Sequence, residues 1–210
     1  MEIRTLNSRW INLFKNVAEE TFLQDCFAEL LKNYSEKHRH YHSIAHIADC
    51  LSALDKIKTH LNDRFSIEVA IWFHDIIYDP KQSKNEKLSA EYAKAILRDI
   101  KIDLRTISNI EHLINLTKHP SKPITSDEKY LIDIDLLILG SNSESFNIYE
   151  TNIRKEYSFV PNFLYKKGRG KLLKDFLNSK RIYQTDYFFD IFEKRARINI
   201  EKALASLKGS

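Results

Sequence analysis

Apolar residues recur three and four positions apart along most of this chain, the signature of helices that turn one face to a core. Trp10, Leu13, Phe14 and Val17 form one stripe, and Phe22, Leu23, Phe27, Leu30 and Leu31 form a second. A helix is expected from Ser43 as N-cap through Ile44, Ile47, Leu51 and Leu54 to about Thr59. Another is expected from Ser66 to about Tyr78, closed by Pro80. It is apolar nearly all round (Val69, Ala70, Ile71, Trp72, Phe73, Ile76, Ile77), so it belongs at the centre of the fold. Further helices fit 85–99, 104–118, 126–140, 144–159, 161–178 and 184–207. No stretch alternates polar and apolar positions for long enough, between turn signals, to build a sheet. Neither a repeat nor a low-complexity linker interrupts the chain. The pattern therefore predicts an all-α fold, one helical-bundle domain over residues 1–210.

Composition sharpens this picture. Only 4 Gly and 4 Pro among 210 residues leave few turns, and 43% hydrophobic with 30% charged residues is ordinary for a globular chain. The 2 cysteines, Cys26 and Cys50, make no disulfide framework and suit a reducing, cytoplasmic location. The N-terminus has no basic segment followed by an apolar run, and no run approaches the roughly 20 residues of a membrane span. Net charge is +4, but residues 151–210 hold 14 Lys+Arg against 6 Asp+Glu, which leaves the rest acidic. A basic final quarter either cradles an anion or forms a solvated helix face. No basic run interleaved with aromatics points to a nucleic-acid polymer. The lack of a Gly-rich phosphate loop excludes a P-loop NTPase.

Candidate chemistry sits in apolar surroundings. In "AIWFHDIIYD", His74 and Asp75 are adjacent among large apolar side chains. A buried Asp needs a partner, either a basic side chain or a metal ion. In "YHSIAHIADC", His42 and His46 stand one helical turn apart, with His46 on the edge of an apolar stripe beside Cys50. In "LIDIDLLILG", Asp133 and Asp135 are about 200° apart on a helix, so both cannot readily serve one centre. Two imidazoles and carboxylates suit a first-row divalent cation with open water positions, or magnesium more weakly.

His46, the His74–Asp75 doublet and a distant Asp resemble the H…HD…D signature of the HD superfamily of metal-dependent phosphohydrolases. The blocks "HRHYHSIAHI", "AIWFHDIIYD", "NEKLSA", "DIDLLILG", "IRKEY" and "GRGKLLKDFL" together resemble a predicted, uncharacterised bacterial group of that superfamily, over about residues 34–205. The resemblance implies an HD-type bundle. Its metal ligands would be His46, His74, Asp75 and Asp135, with Asp133 as the runner-up for the last. The cation would be manganese, iron, cobalt, nickel, zinc or magnesium.

"YHSIAHIAD" is also similar to the corresponding block of cyclic-nucleotide phosphodiesterases, which makes His42 a candidate general acid; the competing reading is a hydrogen-bonded surface histidine. Glu86 either orients a metal-bound water or caps a helix. Arg39, Arg154 and Arg169 are candidate phosphate binders, or partners of buried carboxylates. His119 either reaches the site or simply ends a helix beside Pro120. The expected function is hydrolysis of a small phosphorylated metabolite or nucleotide by a metal-bound water. The alternative is a non-catalytic metal- or nucleotide-binding helical module. Neither a membrane nor a nucleic-acid polymer is an expected partner, and a homo-oligomer is compatible with the chain.

Overall fold

The computed structural model describes residues 1–120 and 122–209. They are 71% helical and contain no strand, so the fold is all-α as the hydrophobic pattern predicts. The chain divides into two compact units, residues 1–131 and 132–210.

The first unit carries α1 (Ile3–Phe14), α2 (Glu20–Tyr34), α3 (Ile44–Lys56), α4 (Arg64–Phe73), α5 (Asn85–Asp99) and α6 (Leu104–Leu116). The division falls within α7 (Ser126–Asp135). The expected central helix is α4, in which Ile67, Val69, Ala70, Ile71, Trp72 and Phe73 are all buried. Trp10 of α1 packs edge-on against Trp72 and Phe73, with ring centroids 5.6 and 5.7 Å apart, and its indole N–H donates to the Leu23 carbonyl. The buried charged residue of this helix, Glu68, accepts from Arg9 Nε at 2.6 Å, and Arg64 lies 3.5 Å from its other oxygen. Pairing of this kind makes a buried carboxylate tolerable. Val17 falls beyond the end of α1 and is 48% exposed, so the first stripe closes at Phe14.

The central helix is shorter than its apolar run. It begins at Arg64 because the Asp63 carboxylate accepts from the Ser66 N–H, an N-cap that the pattern alone places two residues late. It ends at Phe73, with His74 as C-cap, and not at Tyr78. The apolar residues Ile76 and Ile77 continue the hydrophobic run outside the helix, and Ile77 N–H donates instead to Ser89 Oγ of α5.

The second unit holds the end of α7, a 3-10 turn (Leu136–Gly140), α8 (Ser143–Glu156), α9 (Asn162–Asn178) and α10 (Asp186–Gly209). The expected helix 126–140 thus splits into an α-helix and a tighter turn. Asn199 Nδ2 takes the carbonyls of Leu139 and Ser141, and Arg195 Nε takes that of Gly140, which together satisfy this turn from α10. Gly140 is required there by contact: a Cβ would stand 2.6 Å from Phe192 Cβ and 2.8 Å from Tyr183 Oη. Ahead of α10, the backbone N–H groups of residues 182–185 are gathered by two buried carboxylates. Glu193 accepts from Ile182 and Tyr183, and Asp133 accepts from Gln184 and Thr185. No helix among the described residues is long and apolar enough to cross a membrane.

Candidate metal centre

His46 lies in the first turn of α3. That helix opens at Ser43, which takes the N-cap position in an extended conformation without a capping hydrogen bond from its side chain. Its buried face is His46, Ile47, Cys50, Leu51 and Leu54, so the imidazole shares the stripe that packs the helix. Cys50 Sγ, one turn on, lies 3.7 Å from His46 Nε2 and backs the ring.

His74 and Asp75 stand where α4 stops, a position that leaves the last carbonyls of a helix without helical donors. Each of them has a partner here. The Ala70 carbonyl accepts from His74 N–H, and that of Ile71 from His74 Nδ1 at 2.9 Å. Trp72 accepts from the Tyr34 hydroxyl at 2.9 Å, and Phe73 from Ile76 N–H at 3.0 Å. Because a carbonyl can only accept, His74 carries its proton on Nδ1 and turns Nε2 toward His46 and Asp75. Burial pushes the Tyr34 phenol well above its usual range, which keeps it a neutral donor.

Three donor atoms then converge. His46 Nε2 is 3.2 Å from His74 Nε2, His74 Nε2 is 3.2 Å from Asp75 Oδ2, and His46 Nε2 is 3.8 Å from Asp75 Oδ2. The equidistant point in the plane of the three lies about 2.0 Å from each, and points just off that plane reach the ~2.0–2.2 Å bonds of a first-row cation to imidazole nitrogen and carboxylate oxygen. Among the described residues, this is the group of three or more His, Cys, Asp or Glu side chains close enough to hold a metal ion. His46 and His74 are buried, and the Asp75 side chain is 17% exposed. Burial alone would raise the Asp75 carboxyl; the imidazoles of His74, His42 and His46 outweigh it and hold the group well below the usual carboxylate range.

The remaining candidates have diverse settings. His42 is half-buried and stacks on Tyr78, with ring centroids 4.2 Å apart, and its ring centroid lies 6.3 Å from that of His46. Arg39 is buried: Nε donates to Glu36, Nη1 to the carbonyls of His42 and Asp75, and Nη2 to that of Ile76. Glu86 is half-buried in the first turn of α5, outside the three-donor cluster. Before it, Asn85 forms a reciprocal clamp with the backbone of Asp79, accepting at 3.1 Å and donating at 2.9 Å. His119 lies past the end of α6, joined to Pro120 by a cis peptide bond.

In the second unit, Asp133 is fully buried and also accepts from Thr185 Oγ1 at 2.6 Å; burial pushes its carboxyl up to about 6 against those hydrogen bonds. Asp135 closes α7, and its charge helps burial raise the Tyr149 phenol. Arg154 donates to the carbonyls of Tyr157 and Val160 and stacks on Tyr165. Arg169 pairs with Glu150 and lies over the Tyr149 ring. Burial opposes its charge, and Tyr149 and Glu150 outweigh burial to hold it protonated.

Sequence reasoning did not foresee Tyr34, which binds the Trp72 carbonyl, or Ser89, which accepts from Ile77. Neither residue type signals such a role, since Tyr34 reads from sequence as one more apolar position at the end of α2.

Comparison with protein-family models, with curated proteins and with solved structures returns no match.

Proposed function

We propose that this protein is a metal-dependent phosphohydrolase of the HD type, acting on a small phosphorylated metabolite or nucleotide. One observation carries the reading: two imidazole nitrogens and a carboxylate oxygen, from segments 28 residues apart in sequence, form a triangle of metal-binding dimensions. The sequence resemblance supplies the reaction class.

His46, His74 and Asp75 would hold the cation. When bound, it lowers the pKa of a water toward neutrality and polarises a phosphoryl oxygen. The chain's own part begins with His74, whose Nδ1–H bond to the Ile71 carbonyl fixes the ring and its tautomer. Asp75 stays ionised beside the imidazoles and contributes negative charge to the donor set. His42, braced on Tyr78, donates a proton to the leaving oxygen, a role worth about 10²–10⁴ in rate.

The test uses the full chain loaded with manganese, cobalt or magnesium, assayed against phosphomonoesters, cyclic and linear dinucleotides and nucleoside triphosphates. Turnover of at least one class, lost in His74→Ala and Asp75→Ala, is the expected result. Metal retention with no turnover of any class would instead favour a metal- or nucleotide-binding module.

A further inference from the structure

We infer that Arg39 is a positioning residue of the metal centre, its guanidinium setting how the His42 segment stands against the His74–Asp75 segment. The inference rests on the metal site proposed above.

The Arg39 side chain is fully buried, and four of its five N–H donors are in use. Three of those hydrogen bonds reach backbone carbonyls on both sides of the centre: His42 at 3.1 Å, Asp75 at 2.6 Å and Ile76 at 2.9 Å. The fourth anchors Nε to Glu36 at 2.9 Å. The guanidinium lies over two aromatic rings, 5.2 Å from the centroid of Tyr34 and 5.4 Å from that of Tyr78. Tyr34 in turn holds the Trp72 carbonyl, and Tyr78 backs His42.

One planar cation therefore ties the residue ahead of the α3 N-cap, two aromatic supports and the chain leaving α4 into a single unit. Its charge also sits where the negative end of the α4 dipole favours a cation. Engaged in this way, the guanidinium has its donors on the protein and not on a phosphate. A lysine cannot reproduce the arrangement, because an ammonium lacks the planar fork that spans separate carbonyls and lies flat on rings.

The experiment is a cobalt titration of the full chain, followed by visible absorption, together with thermal unfolding of the metal-free protein. It compares the wild-type chain with Arg39→Lys, Arg39→Ala and Arg9→Met. The Arg9 variant breaks the Glu68 pair, which is outside the donor cluster, and calibrates what a loss of stability alone does to cobalt binding.

Arg39→Lys and Arg39→Ala are expected to bind cobalt about 10–100-fold more weakly, with an altered absorption spectrum, a loss typical of groups that support metal ligands. Arg9→Met is expected to lower the melting temperature and keep wild-type affinity. Should Arg39→Ala fail to fold, Arg39→Lys decides alone. Cobalt affinity within twofold of wild type in a folded Arg39 variant overturns the inference, as does an equal loss in Arg9→Met. A wild-type chain that binds no cobalt overturns the proposed metal site, and this inference with it.

Discussion

The Nε2 atoms of His46 and His74 lie 3.2 Å apart, although 28 residues separate them in the chain. Each ring arrives by a different route. His46 is delivered by the packing stripe of α3, whereas His74 is held by a hydrogen bond to the last turn of α4. Two imidazoles so placed, beside a carboxylate 3.2 Å from one of them, make up the proposed metal site, in which each member supplies one donor atom.

Removal of one member is therefore expected to be severe. His74→Ala takes away a proposed ligand and the ring donor to the Ile71 carbonyl. Calorimetric titration with zinc or manganese is expected to show affinity reduced by at least about 100-fold, since an inner ligand should cost no less than the 10–100-fold typical of its supporting groups. Cys50→Ala, which removes a thiol that backs the His46 ring from outside the three-donor group, is expected to retain wild-type affinity.

His42 offers a cleaner separation of binding from chemistry. His42→Asn is expected to keep the metal while turnover of the best substrate falls about 10²–10⁴-fold. Steady-state kinetics on protein of known metal content check this. A loss of metal in parallel with rate would assign His42 to the ligand set.

Acid lability is expected to involve Glu128. Burial raises this carboxyl, but hydrogen bonds from Ile124 N–H, His112 and Thr125 N–H outweigh it and leave the group below its ordinary value of 4.5. A depressed carboxylate contributes stability above its unfolded pKa and loses it as pH falls through the folded one. Denaturant unfolding is therefore expected to show stability declining below pH about 4.5. In Glu128→Gln that decline is shallower, on a baseline about 1–3 kcal/mol lower at neutral pH.

Gly140 tests the packing of the second unit. A methyl group there meets Phe192 Cβ at 2.6 Å and the Phe192 carbonyl at 2.9 Å, neither of which is the yielding end of a flexible chain. Gly140→Ala is expected to destabilise the protein by about 1–3 kcal/mol or more, as over-packed cores do, with metal affinity unchanged. Thermal unfolding alongside a metal titration measures both.

Much of this was legible in the sequence, for identifiable reasons. A helix apolar on nearly every side has to be buried, and α4 is from Ser66 to Phe73. Its end was not legible. Ile76 and Ile77 extend the hydrophobic run, and the carbonyls of the last turn are taken instead by the His74 ring, the Tyr34 hydroxyl and the Ile76 N–H, none of which shows in local periodicity. Of the donor cluster, His46 and the His74–Asp75 doublet stood out because polar ligands are costly in apolar surroundings. The angular separation of Asp133 and Asp135 implied that both could not readily serve one centre, and Asp133 accepts from the backbone of Gln184 and Thr185, about fifty residues away. Arg39 was open between a phosphate and a carboxylate partner, since both present oxygens that a guanidinium fits, and its backbone partners have no signature in the sequence. Only the fold shows the three carbonyls.

The most direct test is crystallographic: crystals of the full chain soaked in manganese or cobalt, with anomalous difference maps on either side of the absorption edge. The predicted result is a peak about 2.0–2.3 Å from His46 Nε2, His74 Nε2 and an Asp75 carboxylate oxygen, absent in His74→Ala crystals. Maps without a peak at that triangle, from crystals shown by elemental analysis to contain the metal, would contradict the account.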